Sequence, residues 1–146
     1  MSVSKKLKDF FSSLLPEKMK ISEIILEKEV VEDIIDFANA NYPREFVSLL
    51  QGKVEEDKLT VSNLIYQKYA SSFNTATMQF NLPMISDVVG SVHSHPSPSN
   101  RPSNADLNFF DRKGIVHIII SYPFKENNIA CYDYAGNRLE FRISSK

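Results

Sequence analysis

Residues 89–110 read VGSVHSHPSPSNRPSNADLNFF, and the predicted fold follows from this stretch. Apolar residues lead into His93, which predicts a strand that carries His93 and His95 at its end. Because residues two apart in a strand point to the same face, the two imidazoles would project together. Pro96 cannot donate to a strand ladder, so the strand would end just after the histidines. A loop rich in proline and serine follows, and a helix is predicted to begin near Ser103.

The same stretch places a carboxylate near the two histidines. Asp106 lies in the first turn of the predicted helix, where the end of the strand and the start of the helix would meet. Two imidazoles and a carboxylate leave a fourth position for water, which is the pattern of a catalytic zinc site. The same ligand types also hold iron and other metals. The chain has 3 histidines in all, so sites that need many more histidines are excluded.

Each of these residues also has a purely structural interpretation. A serine followed three residues later by an acid, as at Ser103 and Asp106, is typical of a capping box at a helix start. That capping would not prevent Asp106 from turning inward. Glu45 precedes a predicted strand, and a lone glutamate in such a place is usually solvated. His117 lies in an apolar run typical of a buried strand, so it is interpreted as a core residue or a support behind the site. Cys131 alternates within a strand and is interpreted as packing.

Composition predicts an ordinary globular domain. The chain has 146 residues, 42% of them hydrophobic and 24% charged, with a formal net charge of −1. One domain of this size can bury a proper core, and no basic field indicates nucleic acid as a partner. The single cysteine excludes an internal disulfide framework and fits a reducing compartment. No apolar run approaches the ~20 residues that span a bilayer, so we expect a cytoplasmic protein.

The N-terminal segment has a different character from the rest. Apolar residues at helical spacing form one stripe before Pro16, namely Leu7, Phe10, Phe11, Leu14 and Leu15. This predicts an amphipathic helical extension over residues 1–18, ahead of the main domain at residues 19–146. The helix could dock on its own domain or on a second copy, or residues 3–15 could bind a partner. A basic amphipathic helix can also bind a membrane surface, although a membrane partner is the less expected.

Hydrophobic periodicity predicts the remaining elements. Strands are expected at residues 19–26, 46–50, 59–66, 75–80, 88–93, 115–121, 128–134 and 138–143, and helices at residues 27–39 and 103–112. Gly52 would begin a turn, residues 53–58 would form a charged hairpin turn, and residues 67–74 would form a loop. The last two strands would make a hairpin that turns at residues 135–137.

The motifs resemble the signature of the JAMM metalloproteases, the active branch of the MPN domains. The matching residues are His93-x-His95-Pro96, then seven residues from Pro96 to Pro102, then Ser103-x-x-Asp106, with Pro43-x-Glu45 upstream. The resemblance covers about residues 20–143. It implies a single α/β domain of the MPN fold, with a mixed central sheet flanked by helices, similar to the cytidine-deaminase architecture.

The resemblance also implies a role for each matching residue. His93, His95 and Asp106 would bind one Zn²⁺ per chain, and no other cofactor is implied. Glu45 would act as general base and then as proton donor, and Ser103 would help to hold the oxyanion. One departure from the family is Ser48, where many members have glycine.

The implied function is that of a zinc-dependent isopeptidase, which removes a ubiquitin-like or sulfur-carrier protein from lysines of target proteins. One alternative is a peptidase that trims the C-terminus of a sulfur-carrier protein. Another is an MPN scaffold that binds partners without catalysis. Scaffold members typically lack some metal ligands, whereas this chain keeps all three.

Overall fold

Eight strands form one sheet in the computed structural model, which describes residues 21–66, 87–110 and 114–145. The strands are β1 Glu23–Leu26, β2 Val47–Glu55, β3 Lys58–Tyr66, β4 Val88–His95, β5 Val116–Ser121, β6 Ile129–Tyr132, β7 Arg138–Leu139 and β8 Arg142–Ile143. The helices are α1 Lys28–Asn41 and α2 Asn104–Phe110, with a 3-10 turn at Glu126–Asn128. The predicted N-terminal helix, the 67–74 loop and the 75–80 strand lie outside the described residues.

The sheet is mixed, as predicted. Its strand order is β7-β6-β5-β4-β2-β3-β1-β8, with β4 parallel to β5 and antiparallel to β2. Every residue of β5 is buried, and so is all of β4 after Val88. Strands buried on both faces read as nearly continuous apolar runs. This is why the 115–121 run could be recognised as a central strand.

The two helices lie on opposite faces of the sheet. Ile118 and Ile120 of β5 belong to the main core together with the buried side of α1, whereas Ile119 belongs to a second cluster with Phe110 of α2. Successive side chains of a strand alternate between faces, so the two clusters are separate. His93, which pairs with Ile119, therefore lies on the α2 face.

Helix α1 confirms the amphipathic pattern that predicted it. Its buried residues are Val30, Val31, Ile34 and Ala38. The amide of Tyr42 donates to the carbonyl of Ala38 at 3.1 Å, and Pro43 prevents the helix from continuing. No helix among the described residues is long and apolar enough to cross a membrane.

The prediction that Gly52 begins a turn was wrong. Strand β2 continues to Glu55, and the turn is confined to Glu56 and Asp57, where Glu56 has φ of 57°. Gly52 instead lies at a shift in the register between β2 and β3. A Cβ at residue 52 would collide with the carbonyl oxygen of Thr60, so glycine is required by the neighbouring strand and not by a turn.

The predicted strand at residues 138–143 divides into two. Its first half, β7, forms the expected hairpin with β6, whereas its second half, β8, pairs in parallel with β1 at the opposite end of the strand order. Only residues 140–141 separate the two halves, and three Cα steps span at most about 11 Å. The sheet must therefore curl until its two edge strands lie close together.

Candidate metal centre

Both histidines lie at the end of β4, on the face that α2 covers. The strand extends through His95, and Pro96 begins the loop, as predicted. His93 and His95 are each 8% exposed. In the sheet they lie beside Ile119 and Ser121 of β5. The parallel partner strand therefore fixes the backbone that presents the two imidazoles.

Asp106 is held at the start of α2 by a reciprocal capping box. The amide of Asp106 donates to Oγ of Ser103 at 3.1 Å, and the amide of Ser103 donates to Oδ2 of Asp106 at 2.8 Å. Such reciprocal bonds satisfy amides that the first helical turn leaves without partners. The capping interpretation is therefore confirmed, and it coexists with an Asp106 that is only 6% exposed.

The carboxylate of Asp106 joins the two histidines. Its Oδ1 lies 3.0 Å from Nδ1 of His93, and its Oδ2 lies 3.0 Å from Nε2 of His95. Burial raises the pKa of Asp106, but hydrogen bonds from His93, from His95 and from the Ser103 amide outweigh it and hold that pKa well below its usual range. The group that we name the His–Asp cluster is thus His93, His95 and Asp106, with an ionised carboxylate at its centre.

Both ring nitrogens of His95 face hydrogen-bond acceptors. Nδ1 lies 2.9 Å from the carbonyl oxygen of Ser99, which can only accept, and Nε2 faces the carboxylate of Asp106. A ring that donates twice carries a positive charge. Accordingly, the hydrogen bond to Asp106 raises the pKa of His95 against the opposing effect of burial. A metal ion at Nε2 would take the place of this proton, while the Ser99 carbonyl kept the ring in orientation.

Among the described residues, one ring nitrogen of His93 has no hydrogen-bond partner. Its Nδ1 faces Asp106, and its Nε2 is buried without a hydrogen-bond partner among the described residues. A buried polar atom left without a partner costs free energy, and it often indicates a missing ion or water. The ring is held edge-on against Phe109, with 5.1 Å between the ring centroids.

The donor set of the His–Asp cluster fits zinc. Two imidazoles and one carboxylate are ligand types that catalytic zinc sites use, and they leave a fourth position for water. In the described part of the chain, no three acidic, cysteine or histidine side chains already surround a common point as a metal would require. The three groups instead bond directly to one another, so an ion would replace hydrogen bonds that hold the cluster together.

Glu45 lies two residues before β2, near His95. Val47 of β2 pairs with His93 of β4; the amide of Ser94 donates to the carbonyl of Phe46 at 2.9 Å, and the amide of Phe46 donates to the side-chain Oγ of Ser94 at 2.7 Å. The negative charge of Glu45 contributes to the raised pKa of His95. Glu45 is exposed to solvent.

Two supports of the site could not be recognised from the sequence. One is the Ser99 carbonyl, because a backbone acceptor leaves no signal in the residue type. The other is Phe109, for which only the helical spacing from Asp106 could have given an indication. His117 and Cys131 are fully buried, as predicted. Burial raises the pKa of the Cys131 thiol to about 12.

The curled mixed sheet and the His–Asp cluster define a domain of the JAMM and MPN class. A family model described as prokaryotic homologs of the JAB domain matches residues 27–134. The chain belongs to this family.

Several relatives agree with that membership. A protein of Haloferax volcanii named as a probable metalloprotease is 35% identical over 119 residues, 73% of each chain. A structure described as a metalloprotease-like zinc site in the proteasome and signalosome is 33% identical, with a TM-score of 0.66 over 85% of this chain and 100% of its own. A JAB1/MPN domain protein of Archaeoglobus fulgidus is also 33% identical, with a TM-score of 0.64 over 85% and 99% of the two chains.

Proposed function

We propose that this protein is a zinc-dependent isopeptidase that releases a ubiquitin-like or sulfur-carrier protein from lysines of its targets. The observation that carries the proposal is the convergence of His93, His95 and Asp106 in one buried cluster, with Glu45 open to solvent beside it. The similar structure described as a metalloprotease-like zinc site supports the choice of metal. The buried free thiol of Cys131 is compatible with the cytoplasmic location that belongs to the same proposal.

One zinc ion would be held by the His–Asp cluster. When bound, it supplies a Lewis acid that lowers the pKa of water to about 7. The protein contributes the orientation of the ligands. The Ser99 carbonyl fixes the His95 ring, and the capping box fixes Asp106.

Glu45 would carry the protons. Its carboxylate would accept a proton from the attacking water, and the same proton would pass to the lysine nitrogen as the amide bond breaks. Free carboxylate and free amine are then the two products. The position of Glu45 near His95 supports this role, because its charge acts on the cluster although Glu45 is not a member of it.

Ser103 would assist at the carbonyl oxygen of the substrate. Its Oγ accepts the amide proton of Asp106, which leaves the hydroxyl proton available to an outside acceptor. A hydrogen bond to the oxygen that gains negative charge would stabilise the transition state. The same hydroxyl would then serve both the helix start and the reaction.

Cleavage of defined conjugates tests the proposal. A lysine-linked conjugate of a ubiquitin-like protein and a linear fusion through its C-terminus should be incubated with the zinc-loaded chain. We expect the lysine-linked conjugate to be cleaved faster, and Glu45→Gln to bind zinc normally while its rate falls at least about 100-fold. Glu55→Gln is the matched control, since this exposed glutamate lies at the far end of β2.

The other results would decide between the alternatives. Faster cleavage of the linear fusion would favour the peptidase that trims a C-terminus. Normal cleavage by Glu45→Gln would remove Glu45 from the mechanism. If zinc is bound but neither substrate is cut, the chain is better described as a scaffold.

A further inference from the structure

We propose that three buried rings position Asp106 against the two histidines. The rings are Phe110, His117 and Tyr132, which we name the ring cluster. The inference rests on the proposed metal site, and it gives a role to residues that are not themselves proposed as zinc ligands. They would act as positioning residues by fixing the distance between α2 and the end of β4.

Phe110 is the member that belongs to the same helix as Asp106. It lies four residues after Asp106, on the same side of α2, and it is fully buried. Its ring stacks on that of His117, with centroids 4.3 Å apart and planes 11° apart. It also packs against the ring of Tyr132, at 6.2 Å and 24°. A displacement of Phe110 would therefore carry Asp106 with it.

His117 connects the ring cluster to the strand that holds the histidines. Its Nδ1 lies 2.8 Å from Oγ of Ser91, and both residues are fully buried. Ser91 is two residues before His93 in β4, so the two side chains share a face. A hydrogen bond in such an apolar interior is costly to break, which makes the connection stiff.

Tyr132 connects the ring cluster to the loop between His95 and Ser103. Its hydroxyl donates to the carbonyl of Asn100 at 2.8 Å, and the side-chain amide of Asn100 donates to the carbonyl of Asn128 at 3.1 Å. The loop is thereby attached to the sheet halfway between the histidines and the helix start. Two of the connections between β4 and α2 therefore pass through the ring cluster.

The contacts of Asp106 show why this stiffness matters. Its two oxygens make separate contacts of 3.0 Å with two different rings. A shift of α2 that improves one contact would strain the other, and ligands must be held within about 0.5 Å of their working positions. Ordinary core packing would affect stability alone. A positioning role would in addition affect the affinity for metal and the geometry of coordination.

The test is metal binding by the full chain with one hydrogen bond removed at either end of the ring cluster. Ser91→Ala breaks the bond to His117, and Tyr132→Phe breaks the bond to Asn100. Zinc affinity would be measured by competition with a chromophoric chelator, and coordination by the visible absorption of the cobalt-substituted protein. We expect zinc binding about tenfold weaker in each variant, as for other groups that orient ligands, and an altered cobalt spectrum.

Matched controls remove the same chemical groups elsewhere. Ser48→Ala deletes a buried serine hydroxyl that donates to the adjacent Leu49 carbonyl. Tyr134→Phe deletes the hydroxyl of an exposed tyrosine. Both controls should keep the zinc affinity and the cobalt spectrum of the wild type. Thermal melting of each metal-free variant shows whether it folds, and either ring-cluster variant alone is sufficient for the test.

Each outcome has a distinct meaning. If the wild type binds zinc and both ring-cluster variants bind it equally well, the positioning role is wrong while the proposed metal site stands, even if the variants melt at a lower temperature. A control that loses affinity to the same degree also overturns the inference. If the wild type binds no zinc at neutral pH, the proposed function fails, and the inference fails with it.

Discussion

Replacing Asp106 with asparagine tests the metal site without a large change in shape. The amide can still accept the capping bond from Ser103, but it has no charge to hold a cation or the His95 imidazolium. The carboxylate accepts three hydrogen bonds, from His93, His95 and the amide of Ser103. Because hydrogen bonds to charged groups contribute about 1.5–3 kcal/mol each, we expect the metal-free variant to lose about 2 kcal/mol of stability.

The effect on zinc binding should be larger. Loss of an anionic ligand should weaken binding at least about 100-fold, or roughly 2.7 kcal/mol. At a free zinc concentration 100 times its Kd, the wild type gains about 2.7 kcal/mol of stability, and the variant would gain only about 0.4 kcal/mol. For a domain of this size, the difference between these two gains in stability corresponds to a difference of about 5–10 °C between the zinc-induced Tm shifts of the wild type and the variant.

The assay is a pair of melting curves, with chelator and with buffered zinc, together with metal content per chain. Asp33→Asn makes the same change of charge at an exposed position of α1 and is the control. We expect about one zinc per wild-type and control chain and much less in Asp106→Asn. An Asp106→Asn chain that keeps the full zinc-induced shift in Tm would refute the assignment of Asp106 as a ligand.

Four further results are expected, three at the His–Asp cluster and its helix cap and one at Cys131 in β6. Zinc displaces a proton from His95, whose pKa is raised, so zinc affinity should fall about tenfold per pH unit below that pKa; a flat profile between pH 5 and 8 would contradict this. The raised pKa of His95 also stabilises the metal-free protein, measured with chelator, below pH 6.5, and this stability should be lost as the pH rises through the pKa of His95 in the folded protein. Metal-free His95→Gln should lack this pH-dependent stability when its melting is compared at pH 6 and pH 8.5. Ser103→Ala should lower stability by about 1 kcal/mol through loss of the cap and slow cleavage at unchanged zinc content, so normal cleavage would leave Ser103 with capping alone. The thiol of Cys131, buried and with a pKa of about 12, should resist alkylation at pH 8 in the native chain and react promptly in denaturant; rapid native labelling would show that β6 opens readily.

Much of the candidate site could be predicted because its signals are local. A strand of period two placed His93 and His95 on one face, and Pro96 ended that strand. The spacing of Ser103 and Asp106 predicted the helix start, and the capping box confirms it. Each of these inferences depends on neighbours within four residues, where backbone geometry alone determines which side chains meet.

The wrong predictions concern elements that distant segments control. Gly52 is a typical turn residue, but here it meets the carbonyl of Thr60 on the next strand. Residues 138–143 read as one strand, yet they divide because β8 finds its partner in β1, more than 100 residues earlier in the chain. Local propensity carries no information about either contact.

The sequence by itself therefore determined the mixed α/β class, the presentation of the two histidines and the family resemblance. Only the tertiary structure decided that Asp106 bonds both histidines at once, that Glu45 lies near His95, and that the sheet curls onto itself. The physical reason is how far apart in the sequence the interacting residues lie. Strand alternation and helix caps act between residues a few positions apart, whereas strand pairing and the packing of Phe110 on His117 join residues that only the folded chain brings together.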